Sequence, residues 1–305
     1  FMLRRTLLYL SEQGWLRRWV ENSSVSRKLT SRFIAGQTLS DGIRVLGKLA
    51  NERILGTLDF LGENVASLED ARRSRESYLA ALDAIERAGL SATVSIKLTQ
   101  FGLDFSETGC RENLIALVER AKAMQSRIEI DMESAAHTDR TLHLVCTVQD
   151  LLPGYVRAVI QAYLYRSEAD IRMLSERKIP VRLCKGAYRE PASVAFPKKS
   201  EVDANYVKLM KLLLAEGAYP AIASHDEAII REAVRHIREH KISADRFEFQ
   251  MLYGIRRNLQ RELVSQGFRL RLYVPYGDAW YPYFMRRLAE RPANLLFLAR
   301  NLVRS

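Results

Sequence analysis

From residue 54 onward the chain alternates short runs rich in β-branched and aromatic residues with longer stretches whose apolar positions recur every three to four residues. The short runs are 54–62, 92–102, 127–133, 158–163, 180–188, 220–226, 247–252 and 268–274, eight in all. Helical periodicity fills the segments between them: 67–89, 110–125, 138–150, 167–177, 201–216, 226–240 and 255–266. Brief β-rich runs bounded by polar residues predict strands, and a 3.6-residue period predicts helices. Eight strands joined by crossovers long enough to hold a helix predict an α/β fold of the TIM-like (β/α)8 barrel kind, a fold that commonly takes about 250 residues. A doubly wound sheet competes with it. That topology wants a glycine-rich phosphate turn after its first strand, and no GxGxxG occurs. Ahead of the barrel, residues 2–48 read as extra amphipathic helices, with Leu3, Leu7, Leu8, Leu10, Trp15, Leu16 and Trp19 on one face. The expected division is an N-terminal helical segment, 1–50, packing on or beside a catalytic barrel, 51–305.

A barrel of this kind carries its chemistry at the C-terminal ends of its strands. Polar residues should therefore gather late in each run, and they do: Asp59, Lys97, Asp131 with Glu133, Gln161, Arg182 with Lys185, His225, Gln250 and Tyr273. Charges inside apolar strands are costly unless each is paired or meets a ligand. Taken alone, Lys97 and Asp131 are equally a buried ion pair between neighbouring strands; the recurrence in all eight runs favours a shared polar site.

The last strand runs into a helix over 273–290, YVPYGDAWYPYFMRRLAE. Helical spacing places Tyr283, Arg286, Arg287 and Glu290 on one face, bringing a phenol, two guanidiniums and a carboxylate together. Planar guanidinium forks suit a carboxylate or phosphate. A solvated helix face with an Arg286–Glu290 pair is the competing reading. The crowd of Tyr273, Tyr276, Trp280, Tyr281, Tyr283 and Phe284 argues instead for the mouth of a ligand pocket.

Composition narrows the field. The formal net charge of +11 points to anionic partners, but the basic residues are dispersed and form no nucleic-acid motif, so no nucleic acid is expected as a partner. Cys110, Cys146 and Cys184 offer neither a CxxC pair nor an even count, which argues against a disulfide framework and a zinc site and for a reducing, cytoplasmic setting. No apolar run approaches about 18 residues and no signal-peptide pattern opens the chain. His236, Glu239 and His240 match an HxxEH metal pattern, but on a crossover helix outside the barrel, where a third ligand is missing. No metal is expected. A lysine at a strand end can also serve as a Schiff-base nucleophile, so an aldolase using Lys97 or Lys185 is the alternative function.

The segments SIKL (95–98), IDME (130–133), QAY (161–163), VRLCKGAY (181–188), FEFQML (247–252) and YFMRRLAE (283–290) together resemble the proline dehydrogenase family. The resemblance runs from about residue 54 to 295 and includes an intact YxxRRxxE helix at Tyr283, Arg286, Arg287 and Glu290. It implies a distorted (β/α)8 barrel, FAD as cofactor, and oxidation of L-proline to Δ1-pyrroline-5-carboxylate by hydride transfer to flavin N5. It also implies electrons passed to a membrane quinone, with coupling to a pyrroline-5-carboxylate dehydrogenase as a further expectation. Separately, the amphipathic stretch at 2–19 and the net charge of +11 lead to an expected weak, peripheral hold on the inner face of an anionic membrane. The length implies the monofunctional bacterial type. By position, Arg286, Arg287 and Lys97 would hold the proline carboxylate, and Tyr273, Tyr283 and Leu252 would wall its ring. Flavin contacts would come from Asp131, Gln161, Arg182, Lys185, Gly186, Ala187, Tyr188, Ser224, His225, Gln250, Leu252, Arg287 and Glu290. Asp131 and Glu290 would orient the cations. The family's KGAYW reads KGAYR here, with Arg189 in the tryptophan's place, Cys184 replaces a frequent valine, and THN reads SHD over Ser224, His225 and Asp226. These departures bear on adenine and ribose contacts. The bulk of Tyr273 would crowd a ring hydroxyl and so disfavour hydroxyproline.

Overall fold

Eight parallel strands close on themselves in sequence order, β1 (Leu55–Phe60), β2 (Ala92–Lys97), β3 (Ile128–Asp131), β4 (Val156–Gln161), β5 (Val181–Cys184), β6 (Ala221–Ala223), β7 (Glu248–Leu252) and β8 (Leu270–Tyr276). The computed structural model describes residues 32–62 and 65–289, with backbone alone for 286–289. The HIREH segment and all seven predicted crossovers fall on helices: α2 (Leu68–Arg87), α3 (Glu107–Ala123), α4 (Thr138–Leu151), α5 (Ser167–Glu176), α6 (Lys199–Glu216), α7 (Glu227–Glu239) and α8 (Arg257–Ser265). The distorted barrel expected from sequence is the fold observed. Residues 2–19 lie outside the described residues, as does Glu290.

The distortion is at the seam between β8 and β1. There the outer wall is covered by α1 (Leu39–Asn51), a helix that precedes the barrel. Thr38 and Asp41 close its N-terminus as a reciprocal capping box, satisfying amides that the helix itself cannot. Its buried face of Val45, Leu46 and Leu49 packs on Leu58 and Tyr276, which point outward from β1 and β8. Gly56 permits the contact: a Cβ there would stand 2.1 Å from the Leu46 side chain.

With that place taken, the helix after β8, α9 (Trp280–Ala289), lies over the strand ends instead. Phe33, Ile34, Ile255, Trp280, Tyr281, Tyr283, Phe284 and Met285 form a second apolar cluster, with Leu61 and Leu252 packed against it. Leu61 follows β1 and Leu252 ends β7, so the cluster seats α9 across the C-terminal mouth. The segment ahead of α1 is tied in as well, with Ala35 N–H donating to the Pro275 carbonyl and Gly277 N–H to that of Gly36.

Register fixes what faces inward. Asp59 aligns with Ser95, Ser95 with Glu129, Lys97 with Asp131, Gln250 with Arg271 and Leu252 with Tyr273. Partners in a parallel ladder share a face, so these residues line one interior. Such interiors are usually filled by branched apolar side chains. This one is charged through most of its depth.

Candidate active site

Asp131, at the end of β3, is the junction of the upper interior. Its Oδ1 accepts from Arg182 Nη1 at 2.6 Å and from the Ser95 hydroxyl at 2.8 Å, and its Oδ2 accepts from the Tyr273 hydroxyl at 2.8 Å. The Lys97 ammonium stands 3.6 Å from the same Oδ2 and 3.1 Å from Asp59 Oδ1. Lys97 thus has two carboxylates, and its nearer partner is Asp59 on β1, not the Asp131 that sequence pairing suggested. Burial opposes its charge, but Asp59 and Asp131 outweigh burial and hold its pKa above the ordinary lysine value. The Tyr273 phenol is pushed well up, first by burial and then by Asp131, and stays a donor.

Gln161 and Gln250 are buried beside this group. Gln161 donates to the Glu133 carbonyl at 2.8 Å, and Gln250 to Glu248 at 2.7 Å. Glu133 itself accepts from the Thr99 hydroxyl and amide. The Leu252 amide donates to His225 Nε2 at 2.8 Å, so the neutral imidazole carries its proton on Nδ1. Cys184 is half-buried at the end of β5, and burial pushes its thiol up to about 12.

On the β5 side, Lys185 lies between Asp203 at 2.5 Å and Asp226 at 2.8 Å. Asp226 caps α7 by accepting from Ala228 N–H, and its bond to Lys185 holds its carboxyl below the ordinary range. Ser224 is buried and accepts from the Asp226 amide. Gly186 has φ +112°, and a Cβ there would meet the Tyr163 ring at 2.2 Å, so bare backbone faces the aromatic ring. Ala187 and Tyr188 are exposed on the same loop. Two buried polar atoms here, Arg182 Nε and the Tyr163 hydroxyl, have no hydrogen-bond partner among the described residues.

The aromatic crowd of 273–284 proves to be mostly packing. Tyr276 joins the main core, and Trp280, Tyr281 and Phe284 fill the second cluster with exposures of 5% or less. A helix laid over strand ends needs an apolar underside, and these residues provide it; Tyr273 faces the barrel interior, where its hydroxyl meets Asp131. Tyr283 is buried against Leu252's cluster. Arg286 and Arg287 follow one turn on, with side chains outside the described residues.

Sequence reasoning missed the layer below. Glu129, Arg157, Glu248 and Arg271 are buried inside the barrel, with Arg157 donating to Glu129 at 3.1 Å and to Glu248 at 2.6 Å, and Arg271 to Glu248 at 2.9 Å. Their signal was parity: Glu129, Glu248 and Arg271 each stand two residues before a named site residue, Asp131, Gln250 and Tyr273, and so share its face. Among the described residues no His, Cys, Asp and Glu cluster could hold a metal, and no helix is long and apolar enough to cross a membrane.

A closed parallel barrel with ionisable groups gathered at the C-terminal mouth is the architecture of a barrel enzyme. The family model for proline dehydrogenase matches residues 43–300. Proline dehydrogenase 1 of Bacillus subtilis is 41% identical over 303 residues, covering 99% of this chain and all of that protein. The proline dehydrogenase of Deinococcus radiodurans is 39% identical over 280 residues, 90% of each chain. The crystal structure of proline utilization A from Bdellovibrio bacteriovorus superposes with a TM-score of 0.83 at 24% identity, over 94% of this chain and 36% of that one. The chain belongs to the proline dehydrogenase family. It is an enzyme of the oxidoreductase class.

Proposed function

We propose that the protein oxidises L-proline to Δ1-pyrroline-5-carboxylate with FAD as cofactor. The observation that carries the reading is the junction at Asp131, which gathers Lys97, Arg182 and Tyr273 into one polar group beneath α9. Residues on the β5 side suit a flavin dinucleotide: an orphaned Arg182 Nε for a ring acceptor, Lys185 for a phosphate, and Gln161 and Gln250 beside them, with Gly186 on the same loop. A bound flavin would supply, at N5, the acceptor for the hydride of the proline carbon next to nitrogen.

The chain's own residues bind and orient. Lys97, Arg286 and Arg287 would hold the substrate carboxylate, and Tyr273, Tyr283 and Leu252 would bound the ring. Asp131 and Asp59 keep Lys97 a cation, which serves carboxylate binding and opposes the Schiff-base alternative, since a nucleophilic lysine must be neutral. Ala187, Tyr188, Ser224 and His225 complete the proposed flavin contacts, with Arg287 and Glu290 from the final helix. Amine deprotonation is left to solvent. A membrane quinone would be the final electron acceptor, with the protein weakly held at an anionic membrane surface on the cytoplasmic side, and a pyrroline-5-carboxylate dehydrogenase would consume the product. Residues 1–50 would form a helical segment on the barrel at 51–305, a division supported by the packing of α1.

The test is an absorption spectrum of the purified protein before and after L-proline without oxygen. A flavin band that bleaches with L-proline and not with D-proline or hydroxyproline is expected. A flavin band that stays oxidised removes the substrate, and no band after reconstitution with FAD removes the cofactor.

A further inference from the structure

The buried layer beneath the mouth has a hub. Glu129, fully buried on β3, touches five polar groups: the Arg182 guanidinium, Arg157 at 3.1 Å, the Thr93 hydroxyl at 2.9 Å, Gln250 at 3.3 Å and Arg271 at 3.7 Å. Two of these, Arg182 and Gln250, belong to the proposed flavin set; the others belong to the layer below. Glu248 is the hub's counterpart, bonded to Arg157, Arg271, Gln250 and the Tyr219 hydroxyl, with no bond to Arg182.

Stability does not account for such an interior. Buried ion pairs are often matched or exceeded by well-packed apolar residues of the same volume, and branched apolar side chains are the usual filling of a barrel. What the network does achieve is a fixed pose for one cation. Both terminal nitrogens of Arg182 are committed, Nη2 to Glu129 and Nη1 to Asp131 and Ser95, and its Cζ lies 5.5 Å from the Tyr273 ring centroid. Only Nε is left without an acceptor among the described residues. A guanidinium gripped at both ends with one buried donor to spare is preorganised for a ligand acceptor.

We propose that Glu129 is a positioning residue that acts through Arg182 on the bound flavin, fixing that guanidinium and setting how much of its positive charge the flavin feels. The proposal rests on the flavin reading given above. A cation held close favours the more negative, reduced ring, and a carboxylate on the cation's far side moderates the effect. Loss of the Glu129 charge therefore makes the flavin easier to reduce.

Midpoint potentials and FAD dissociation constants of the full chain and three variants test this. Glu129→Gln is expected to shift the oxidised-to-reduced equilibrium about tenfold toward reduced flavin, about 30 mV upward for a two-electron couple, and to weaken FAD binding severalfold. Glu129→Asp retracts the carboxylate by one methylene at constant charge; it carries the same sign at smaller size and decides the matter if Glu129→Gln does not fold. Glu248→Gln removes an equal charge without touching Arg182 and is expected to leave the potential within a third of the Glu129→Gln shift. FAD bound with unchanged potential in the Glu129 variants overturns the proposal, as does an equal shift in Glu248→Gln, which would mean diffuse charge and not a positioned arginine. Wild-type protein that takes up no FAD overturns the flavin reading along with it.

Discussion

Single side chains at the mouth are held by few, short contacts, so their loss should read out in kinetics before stability. Asp131 carries bonds from Arg182, Ser95 and Tyr273 with Lys97 close by, and Asp131→Ala takes one of two carboxylate partners from each of two cations, leaving Lys97 to Asp59 and Arg182 to Glu129. Truncating one member of such a group costs roughly 2–5 kcal/mol, so steady-state kinetics with L-proline should show kcat/KM lower by at least about thirtyfold. Arg286→Ala and Arg287→Ala should each lose about 1.5–3 kcal/mol of carboxylate binding, about ten- to hundredfold in kcat/KM; an unchanged value in either would dissolve the carboxylate clamp. Much of this site was legible because strand-end polar residues stand out against apolar runs. Glu129 and Arg157 share the parity of Asp131 and Gln161 and so their inward face could be read, but not their partners, because nothing in a linear pattern says which interior charges meet across a barrel: those on β5, β7 and β8 lie tens of residues away and only closure brings them together.

Among elements, periodicity located the strands and crossovers well, since each helix need only bury one face on the sheet it follows. It could not say which helix covers the seam. That depends on α1 reaching the outward face of β1 and β8 first, helped by Gly56, and four of the aromatic residues that suggested a pocket mouth, Trp280, Tyr281, Tyr283 and Phe284, pack in the cluster that seats the displaced helix. The strap leading into α1 is pinned at Gly254, where φ is +78° and a Cβ would lie 1.6 Å from the Arg32 carbonyl oxygen. Gly267 has a similar φ of +83° with nothing within 4 Å. Gly267→Ala should therefore cost about 1 kcal/mol of backbone strain alone, and Gly254→Ala about 3 kcal/mol or more. Urea unfolding of the two variants checks the contrast, and equal losses would mean that the strap is not held there.

For the whole molecule, the charged interior ties stability to acid. Burial alone would raise the Glu129 carboxyl, but Arg182, Arg157 and Arg271 outweigh it and hold its pKa at about 2, below the ordinary 4.5. A carboxyl depressed in the folded state contributes stability that is complete above its unfolded value and is lost as pH falls toward its folded one. The urea midpoint should thus be flat between about pH 7 and 5 and decline from about 4.5 downward, with a shallower acid limb in Glu129→Gln. A midpoint insensitive to acid would show that these charges add nothing. The substitution of α1 for the eighth outer helix carries one more consequence. Since the β1–β8 seam is sealed from outside by a helix that precedes the barrel, α9 meets the barrel at the strand ends, through Leu61 and Leu252. Its release then amounts to a local opening, with a free energy set by one small cluster and independent of global unfolding. In native-state hydrogen exchange, amides of Trp280–Ala289 should exchange together, with little response to added denaturant, while those of the eight strands wait for the whole barrel to come apart. The roof over the proposed site would thus lift without disturbing the walls.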